Sequence, residues 1–379
     1  MKKQRYLLAL VAVGLIAVAA AYFLGRERGS SRGQSIRVAA NMPFSGDLAF
    51  YGGELRDGLL MAVADKGRSL PEGVSFDFDW GDNKFSSQDA VSVLQRQLQW
   101  APDIYTSALK PQVMAVEQPV ATKGIPHLAW VLDLSPNPTG TTNSFRVWIS
   151  FQLESDVLFE HARRRGAQKV VLCFVSLPST EQAYATYLAG RLESELKSEV
   201  VVERYSPNAT PSDFRNIAAR VAASSPDLIL INGFIPQMVG IIKGLRPLGM
   251  VGDGNVIASL DMLDAANALT ASESEGIVVA APPFMIAPTK EQEEWRERFE
   301  ALNARQPSYH AAFAYDAGLI LVDAATRLDL PSSHQEWLSA ILSADIDGLT
   351  GRLRFDENQT LITSLAPAIY RGGELVPLN

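Results

Sequence analysis

The feature that most constrains this chain is a regular alternation of strand-like and helix-like segments, which begins at Ile36 and continues to the end of the sequence. Apolar runs such as "IRVAANMPF" are followed by segments such as "LRDGLLMAVA", whose apolar positions recur at the spacing of a helix face. Alternation of this kind predicts an α/β fold with parallel sheets and right-handed crossovers. The pattern breaks near Arg146 and then restarts, which predicts two such units.

Length and composition agree with a folded α/β protein. The chain has 379 residues, of which 47% are hydrophobic and 20% charged, so it can build one large or two ordinary packed domains. A net charge of −8 gives no basic excess and argues against a nucleic-acid partner. The single cysteine, Cys173, lies in the apolar strand "KVVLCFV" and excludes an internal disulfide.

The N-terminus predicts export. Lys2, Lys3 and Arg5 precede the uncharged stretch Tyr6–Leu24, which is longer than the apolar region of a usual signal peptide and close to the length that spans a bilayer. The stretch therefore reads either as a cleaved signal or as a retained membrane anchor. A polar linker follows at residues 25–35, and the remainder is expected outside the cytoplasm. A large exported domain without disulfides fits a bacterial periplasm.

Motifs of enzymes and metal sites are missing from the sequence. No G-x-x-x-x-G-K-[ST], G-x-G-x-x-G, G-x-S-x-G or H-E-x-x-H pattern occurs. The four histidines are far apart in sequence, and a single cysteine accompanies them, so no zinc site is expected. We therefore predict a protein that is not an enzyme and that carries no cofactor or metal.

The segment "MPFSGDLAFYGGELRDGLLMAVADKG" resembles a ligand-binding turn between a strand and a helix. The glycines between Ser45 and Gly53 would let backbone N–H groups approach a ligand closely. A helix starting near Gly53 would direct its dipole toward that ligand. In open α/β sheets ligands bind beyond the carboxyl ends of the strands. Two units would therefore face each other across a ligand cleft.

Several stretches are similar to one family, the type I periplasmic solute-binding proteins, and above all to its branched-chain amino acid-binding branch. They include the opening segment from Ile36, "FDFDWGDNKFSSQDAVSVLQRQL", "PSDFRNIAARVAASSPDLILINGF", "YHAAFAYDAGLILVDAA" and "IDGLTGRLRFDENQT". The resemblance implies two Rossmann-like lobes joined by three hinge crossings. It places lobe 1 at residues 36–147 plus 280–346 and lobe 2 at 148–279 plus 347–379, after a signal or anchor at 1–24.

The resemblance also implies ligand-binding residues in lobe 1. Tyr51 matches an aromatic residue that covers the ligand. The segment "YTSALKP" corresponds to a serine-rich loop, so Ser107 and the amides of Ala108 and Leu109 are expected to bind a ligand carboxylate. Val131 and Asp133 stand in the next loop, where the carboxylate of Asp133 departs from the family pattern and would repel an acidic ligand group.

In lobe 2 the resemblance implies three further ligand-binding residues. Phe234 aligns with a family tyrosine, and Tyr184 stands in for a missing tyrosine-glycine pair. Asp261 aligns with the acid that holds the ammonium of the ligand. An aspartate at this position, just before "MLDAANAL", is equally suited to cap a helix, and both interpretations remain open.

The sequence therefore predicts a monomeric periplasmic solute-binding protein of an ABC importer. It would capture an amino acid or a similar small amine between its lobes and deliver it to an ABC permease in the inner membrane. The alternative is a membrane-anchored sensor of the same fold that signals to a membrane partner, which a retained Tyr6–Leu24 segment would suit.

Overall fold

The computed structural model describes residues 33–132 and 142–378, and the first of its two large sheets is entirely parallel. This sheet has the order β2-β1-β3-β4-β5. Its strands are β1 (Gln34–Met42), β2 (Val74–Asp82), β3 (Ile104–Ala108), β4 (His127–Trp130) and β5 (Ser144–Arg146). We call the layer built on this sheet the first lobe.

The second sheet is seven-stranded, and it defines the second lobe. The remaining strands are β6 (Lys169–Val175), β7 (Glu199–Tyr205), β8 (Leu228–Asn232), β9 (Val256–Ala258), β10 (Ile277–Ala281), β11 (Ile346–Asp347), β12 (Arg352–Leu353), β13 (Ala366–Arg371) and β14 (Glu374–Pro377). The order in the second sheet is β14-β13-β10-β9-β8-β6-β7, whereas β11 and β12 pair separately.

One edge of the second sheet is antiparallel, although the sequence pattern predicts parallel strands. Strand β13 runs antiparallel to both β10 and β14. Only Gly372 and Gly373 separate β13 from β14, and both have positive φ angles. A two-residue turn can join only antiparallel strands, because a parallel pair needs a crossover of a dozen or more residues.

Helices connect most of the strands and cover the sheets. In chain order they are α1 (Ala49–Lys66), α2 (Ser87–Gln99), α3 (Lys110–Thr122), α4 (Phe151–Arg165), a helical stretch α5 in four consecutive pieces (Pro178–Thr180, Glu181–Leu188, Ala189–Arg191 and Leu192–Leu196), α6 (Pro211–Ala223), α7 (Ile235–Leu245), α8 (Met262–Ala265), α9 (Ala271–Ser274), α10 (Pro283–Ile286), α11 (Lys290–Asn303), α12 (Tyr309–Thr326) and α13 (His334–Leu342). The predicted serine cap of α2 is present, because Ser86 Oγ accepts from the Asp89 amide at 3.1 Å.

The central helix pair of the first lobe is α1 with α12, and glycines bring the two helices together. A Cβ atom on Gly58 would lie 2.2 Å from the carbonyl oxygen of Ala311, and one on Gly318 would lie 2.5 Å from the Cβ of Ala62. Nearly all of α12 is buried as a result. This packing places the N-terminus of α12 beside that of α1, where both contribute side chains to the site described below.

Helix α1 begins earlier than the sequence pattern indicates. It starts at Ala49 rather than near Gly53, so Tyr51, Gly52 and Gly53 form part of its first turns instead of a loop. A Cβ on Gly52 would meet the Pro43 carbonyl oxygen at 2.1 Å, so this glycine permits close packing of the helix on the preceding turn. The helical start fixes the direction of the Tyr51 side chain.

The chain crosses between the two sheets after β5 and again after β10. Strand β5 of the first sheet ends at Arg146, and α4 then leads into the second sheet. Strand β10 of the second sheet ends at Ala281, after which α12 packs on α1 in the first lobe. The residue numbers given above for the lobe boundaries stay a prediction.

Several features expected from the sequence lie outside the described residues. They are the leader Tyr6–Leu24, most of the linker that follows it, and Asp133. Within residues 33–132 and 142–378, the helices all fall short of the length and hydropathy that a membrane span requires.

Candidate functional site

A cavity of about 420 Å³ lies between the two lobes, at the carboxyl ends of strands from both sheets. Ala108 and Trp130 end strands β3 and β4 of the first sheet, and Val175 and Asn232 end strands β6 and β8 of the second. All four residues line the cavity. Parallel α/β sheets bind ligands at this edge, because the side chains and amides that follow each strand converge there.

The walls of the cavity are mainly apolar and aromatic. The larger apolar and aromatic lining residues are Tyr51, Leu55, Phe85, Leu109, Met114, Trp130, Val131, Leu132, Trp148, Phe151, Val175, Leu177, Pro178, Phe234, Tyr309 and His310. The small and polar lining residues are Ala108, Lys110, Pro111, Ser179, Thr180, Asn232, Gly233 and Asp261. This composition suits a solute with an apolar body, because the few polar groups can orient it while the rings exclude water.

Four rings form a cluster at one end of the cavity, which we call the aromatic cluster: Tyr51, Trp148, Tyr309 and His310. The ring centroid of His310 lies 4.6 Å from Tyr51, 4.9 Å from Trp148 and 4.0 Å from Tyr309. Ring faces carry partial negative charge and attract cations. The Tyr51, Trp148 and Tyr309 rings of the cluster therefore offer a favourable environment for an ammonium group.

Asp261 lines the cavity beside the aromatic cluster. Its Oδ1 accepts a hydrogen bond from the Tyr51 hydroxyl at 2.9 Å and a weaker one from the Tyr309 hydroxyl at 3.5 Å. Burial raises the pKa of Asp261 to about 6, although the nearby His310 and the Tyr51 hydrogen bond act in the opposite direction. Asp261 occupies the N-cap position of α8, as one of the two interpretations predicts, but its side chain makes no capping hydrogen bond there.

Glu154 supports the loop that carries Asp261. The Leu260 amide donates to Glu154 Oε1 at 2.6 Å, and the Tyr184 hydroxyl donates to Oε2 at 2.8 Å. Burial raises the pKa of Glu154 to about 7. This carboxyl group therefore fixes the backbone immediately before Asp261.

The structure places Tyr184 outside the cavity. Its side chain is completely buried and packs against Phe151 and Phe174, and its hydroxyl donates a hydrogen bond to Glu154. Sequence position alone could not show this, because the direction of a side chain on α5 depends on how that helix packs against α4.

Ser107, the side chain predicted to bind a ligand carboxylate, is not part of the cavity wall. Ser107 is fully buried, and its Oγ lies 2.8 Å from Nε2 of His127. Burial lowers the pKa of His127 to about 3, so this pair is a neutral interior contact. The Leu109 amide, which the resemblance offers to a ligand, donates instead to the Trp130 carbonyl at 3.0 Å.

Other residues expected from the sequence do reach the cavity. Tyr51, Ala108, Leu109 and Val131 line it from the first lobe, and Phe234 and Asp261 line it from the second. Leu109 adopts a φ of 71° immediately before α3, a conformation that is unusual for a residue with a side chain. The role of these residues in binding a ligand stays a prediction.

The sequence analysis missed Trp148, Tyr309 and His310. Trp148 follows the break between the two α/β units, and an aromatic residue at such a junction was a usable signal. Tyr309 and His310 begin α12, whose N-terminus is held by Glu54: its Oε2 accepts from the Ser308 amide at 3.0 Å and from the Ser308 hydroxyl at 2.8 Å. These contacts join segments far apart in sequence, so no local pattern reveals them.

Two helices begin at the cavity. Leu109 and Phe234 occupy the positions before α3 and α7, and each helix has a proline in its first turn. Helix N-termini carry partial positive charge and attract electronegative atoms. In the part of the chain that the structure describes, His, Cys, Asp and Glu form no group suited to a metal ion.

The family described as "Periplasmic binding protein" matches residues 35–373 of this chain. A benzoate complex of an ABC transporter solute-binding protein from R. palustris superposes with a TM-score of 0.79 and 19% identity, over 91% of this chain and 96% of that one. The branched-chain amino acid substrate-binding protein LivJ from Streptococcus pneumoniae, in complex with isoleucine, gives 0.73 and 18%, over 90% and 98%.

A solute-binding protein from Rhodopseudomonas palustris BisB5 in complex with 3,4-dihydroxybenzoic acid is similar to the same degree. Its TM-score is 0.79 at 16% identity, over 90% of this chain and 95% of that one. No curated protein matches the chain. These likenesses between distant sequences confirm the expected two-lobed fold.

Proposed function

The chain belongs to the periplasmic binding protein family, and on that premise we propose that it captures a small organic amine with an apolar body, such as an amino acid or a related amine. The family and its structural neighbours are solute-binding proteins of ABC transporters and not enzymes, as the sequence analysis predicted. The captured solute would pass to an ABC permease.

The observation that carries the proposal is the position of Asp261. Its carboxyl group faces a cavity with mainly apolar walls and is joined to the other lobe by the Tyr51 hydroxyl. A buried carboxylate needs a compensating charge or hydrogen bonds. An ammonium group between Asp261 and the aromatic cluster would supply the charge, and the ring faces would stabilise the cation further.

Asp261→Asn tests this proposal. Asparagine preserves the shape and can still accept from Tyr51, but it removes the charge that faces the ammonium. We expect affinity for a bound amine to fall roughly tenfold to a hundredfold, the range of a hydrogen bond to a charged group. Isothermal titration calorimetry with phenylalanine, leucine and phenethylamine measures the change.

Asp253→Asn is a matched control, because Asp253 has a highly exposed side chain whose ion pair is with Arg371 on the surface. The control should bind as the unmodified protein does. Equal affinity of Asp261→Asn and the unmodified protein for every amine would remove Asp261 from the site and the amine from the proposal.

Aromatic carboxylates are a second candidate class. Lys110 lines the cavity, and α3 and α7 begin there, so a carboxylate could meet positive potential at this end. The two R. palustris proteins described above bind benzoate and 3,4-dihydroxybenzoic acid. Titration with benzoate separates the classes, because binding that is unchanged or tighter in Asp261→Asn favours the carboxylate.

A further inference from the structure

Asn232 is a polar residue in the cavity that the proposed amine contact leaves unused. It ends strand β8, lines the cavity and is only 5% exposed. Its side-chain oxygen Oδ1 is buried and has no hydrogen-bond partner within the described residues. Buried amide groups are nearly always hydrogen bonded, so a bare one in a binding cavity indicates a partner that the protein itself does not supply.

Three hydroxyl groups around the cavity, those of Tyr51, Tyr309 and Thr180, differ from Asn232 in this respect. The Tyr51 and Tyr309 hydroxyls donate to Asp261. The Thr180 hydroxyl donates to the Leu177 carbonyl at 3.0 Å and accepts from the Leu177 amide at the same distance. These groups are committed to the protein, whereas the Asn232 side-chain oxygen has no partner within the described residues.

The backbone around Asn232 is well fixed. Its carbonyl oxygen accepts from the Tyr205 hydroxyl, and β8 pairs with β6 so that Asn232 lies opposite Phe174. The side chain therefore projects from a rigid strand end rather than from a loop. A rigid position is the kind of support that a specific hydrogen bond to a ligand requires.

Asn232 and Asp261 belong to the same edge of the second sheet. Strands β8 and β9 are parallel neighbours, with Ile231 opposite Ala258, so the residues that follow both strands come close together. Neighbouring strands are about 4.8 Å apart. One small ligand can therefore reach both side chains.

We propose that the Asn232 side-chain amide forms a second polar subsite in the cavity and hydrogen bonds an uncharged polar group, a hydroxyl or an amide, on the ligand. The inference rests on the proposed function for the opposite, amine-bearing end of the ligand. Ser179, in α5 after the neighbouring strand β6, also lines the cavity and adds a hydroxyl.

The test uses probe pairs that differ by one donor group. Calorimetry compares phenethylamine with its 3-hydroxy and 4-hydroxy derivatives and with 4-(2-aminoethyl)benzamide. We expect at least one donor-bearing probe to bind roughly three- to tenfold more tightly than phenethylamine, which is the range of a neutral hydrogen bond. Asn232→Leu, which is similar in shape, and Asn232→Ala should both abolish the difference.

Asn216→Leu is the control, because Asn216 is exposed on α6 and the same chemical change there should leave the discrimination intact. The melting temperature without ligand gives an independent readout. Asn232→Leu should melt no lower than the unmodified protein, because the Oδ1 atom it removes makes no hydrogen bond. A structural asparagine would instead lower it.

A second pair, ethylbenzene and 4-ethylphenol, lacks the amine and examines the subsite without Asp261. If amines do not bind but 4-ethylphenol binds more tightly than ethylbenzene in an Asn232-dependent way, the proposed function fails and the subsite stands. If amines bind but no donor group matters, or Asn232→Leu keeps the preference, the subsite is overturned and the proposed function stands. If neither pair discriminates, the subsite is also overturned.

Discussion

At the scale of single residues, the protonation of Asp261 sets the expected pH dependence of amine binding. Burial raises the pKa of this carboxyl to about 6. Nearby His310 acts to lower this pKa, and the charge of Asp264 acts to raise it. An ammonium ligand needs the ionised carboxylate. Affinity should therefore be constant above about pH 7 and weaken as the pH falls through 6, reaching about tenfold weaker binding at pH 5.

Calorimetry with phenethylamine from pH 8 to pH 5 measures this dependence. Asp261→Asn should flatten the profile. The pH profile of Glu154→Gln is measured as well, because burial raises the pKa of Glu154 to about 7 and this carboxyl could also titrate in the same range. Its Oε1 accepts from the Leu260 amide next to Asp261. Binding that tightens as the pH falls would contradict the prediction and would indicate that the ligand does not rely on a carboxylate.

The residue scale also shows where the sequence was a sufficient guide. The resemblance to the solute-binding family implied Tyr51, Phe234 and Asp261, and all three line the cavity. Ser107 lies one residue before the end of strand β3, but its side chain contacts His127 in the protein interior instead of lining the cavity. Successive strand residues face opposite sides, so a shift of one position decides whether a side chain meets the cavity or the interior.

At the scale of elements, the crossing of α1 and α12 depends on glycine. Gly58→Ala would bring a Cβ to 2.2 Å from the Ala311 carbonyl oxygen, so the helices must separate. We expect the free energy of unfolding to fall by about 1–3 kcal/mol, the cost of overpacking a core. Urea denaturation followed by circular dichroism measures the loss.

Gly53→Ala in the same helix is the matched comparison. A Cβ on Gly53 would meet no atom within 4 Å, and alanine has the higher helix propensity. This variant should gain about 0.5–1 kcal/mol. A Gly58→Ala protein as stable as Gly53→Ala would show that the two helices can separate without cost.

Most elements were predictable from local pattern, but their limits were not. The β-branched run in "EVVVERY" corresponds to strand β7, Glu199–Tyr205. In contrast, α1 begins at Ala49 because Gly52 packs tightly on the Pro43 carbonyl, a contact that glycine in a turn-like sequence does not reveal. The predicted start of α1 near Gly53 was wrong because glycine is common both in turns and at sites of close backbone packing.

At the scale of the whole molecule, Cys173 reports on global unfolding. It is fully buried in β6, an interior strand of the second sheet between β8 and β7, and burial raises the pKa of its thiol. Ellman's reagent should therefore label it only after the sheet opens. A ligand at about 100 times its Kd should slow the labelling roughly 100-fold, since it binds only the folded state.

The tightest-binding compound from the calorimetric titrations serves as the ligand in this measurement. The labelling rate is followed in low concentrations of urea with and without it. The single cysteine makes the signal unambiguous. A labelling rate that ligand leaves unchanged would mean that Cys173 becomes exposed by a local opening that the binding cavity does not control.

The sequence by itself determined the class of fold, because hydrophobic periodicity and turn-forming residues depend only on a few consecutive positions and can be recognised there. It also indicated which strand ends could carry a site. Only the tertiary structure decided the composition of that site: Trp148, Tyr309 and Asn232 come from three distant segments. Their meeting depends on how α12 packs on α1 and how the two sheets align, and these are long-range contacts that no short stretch of sequence encodes.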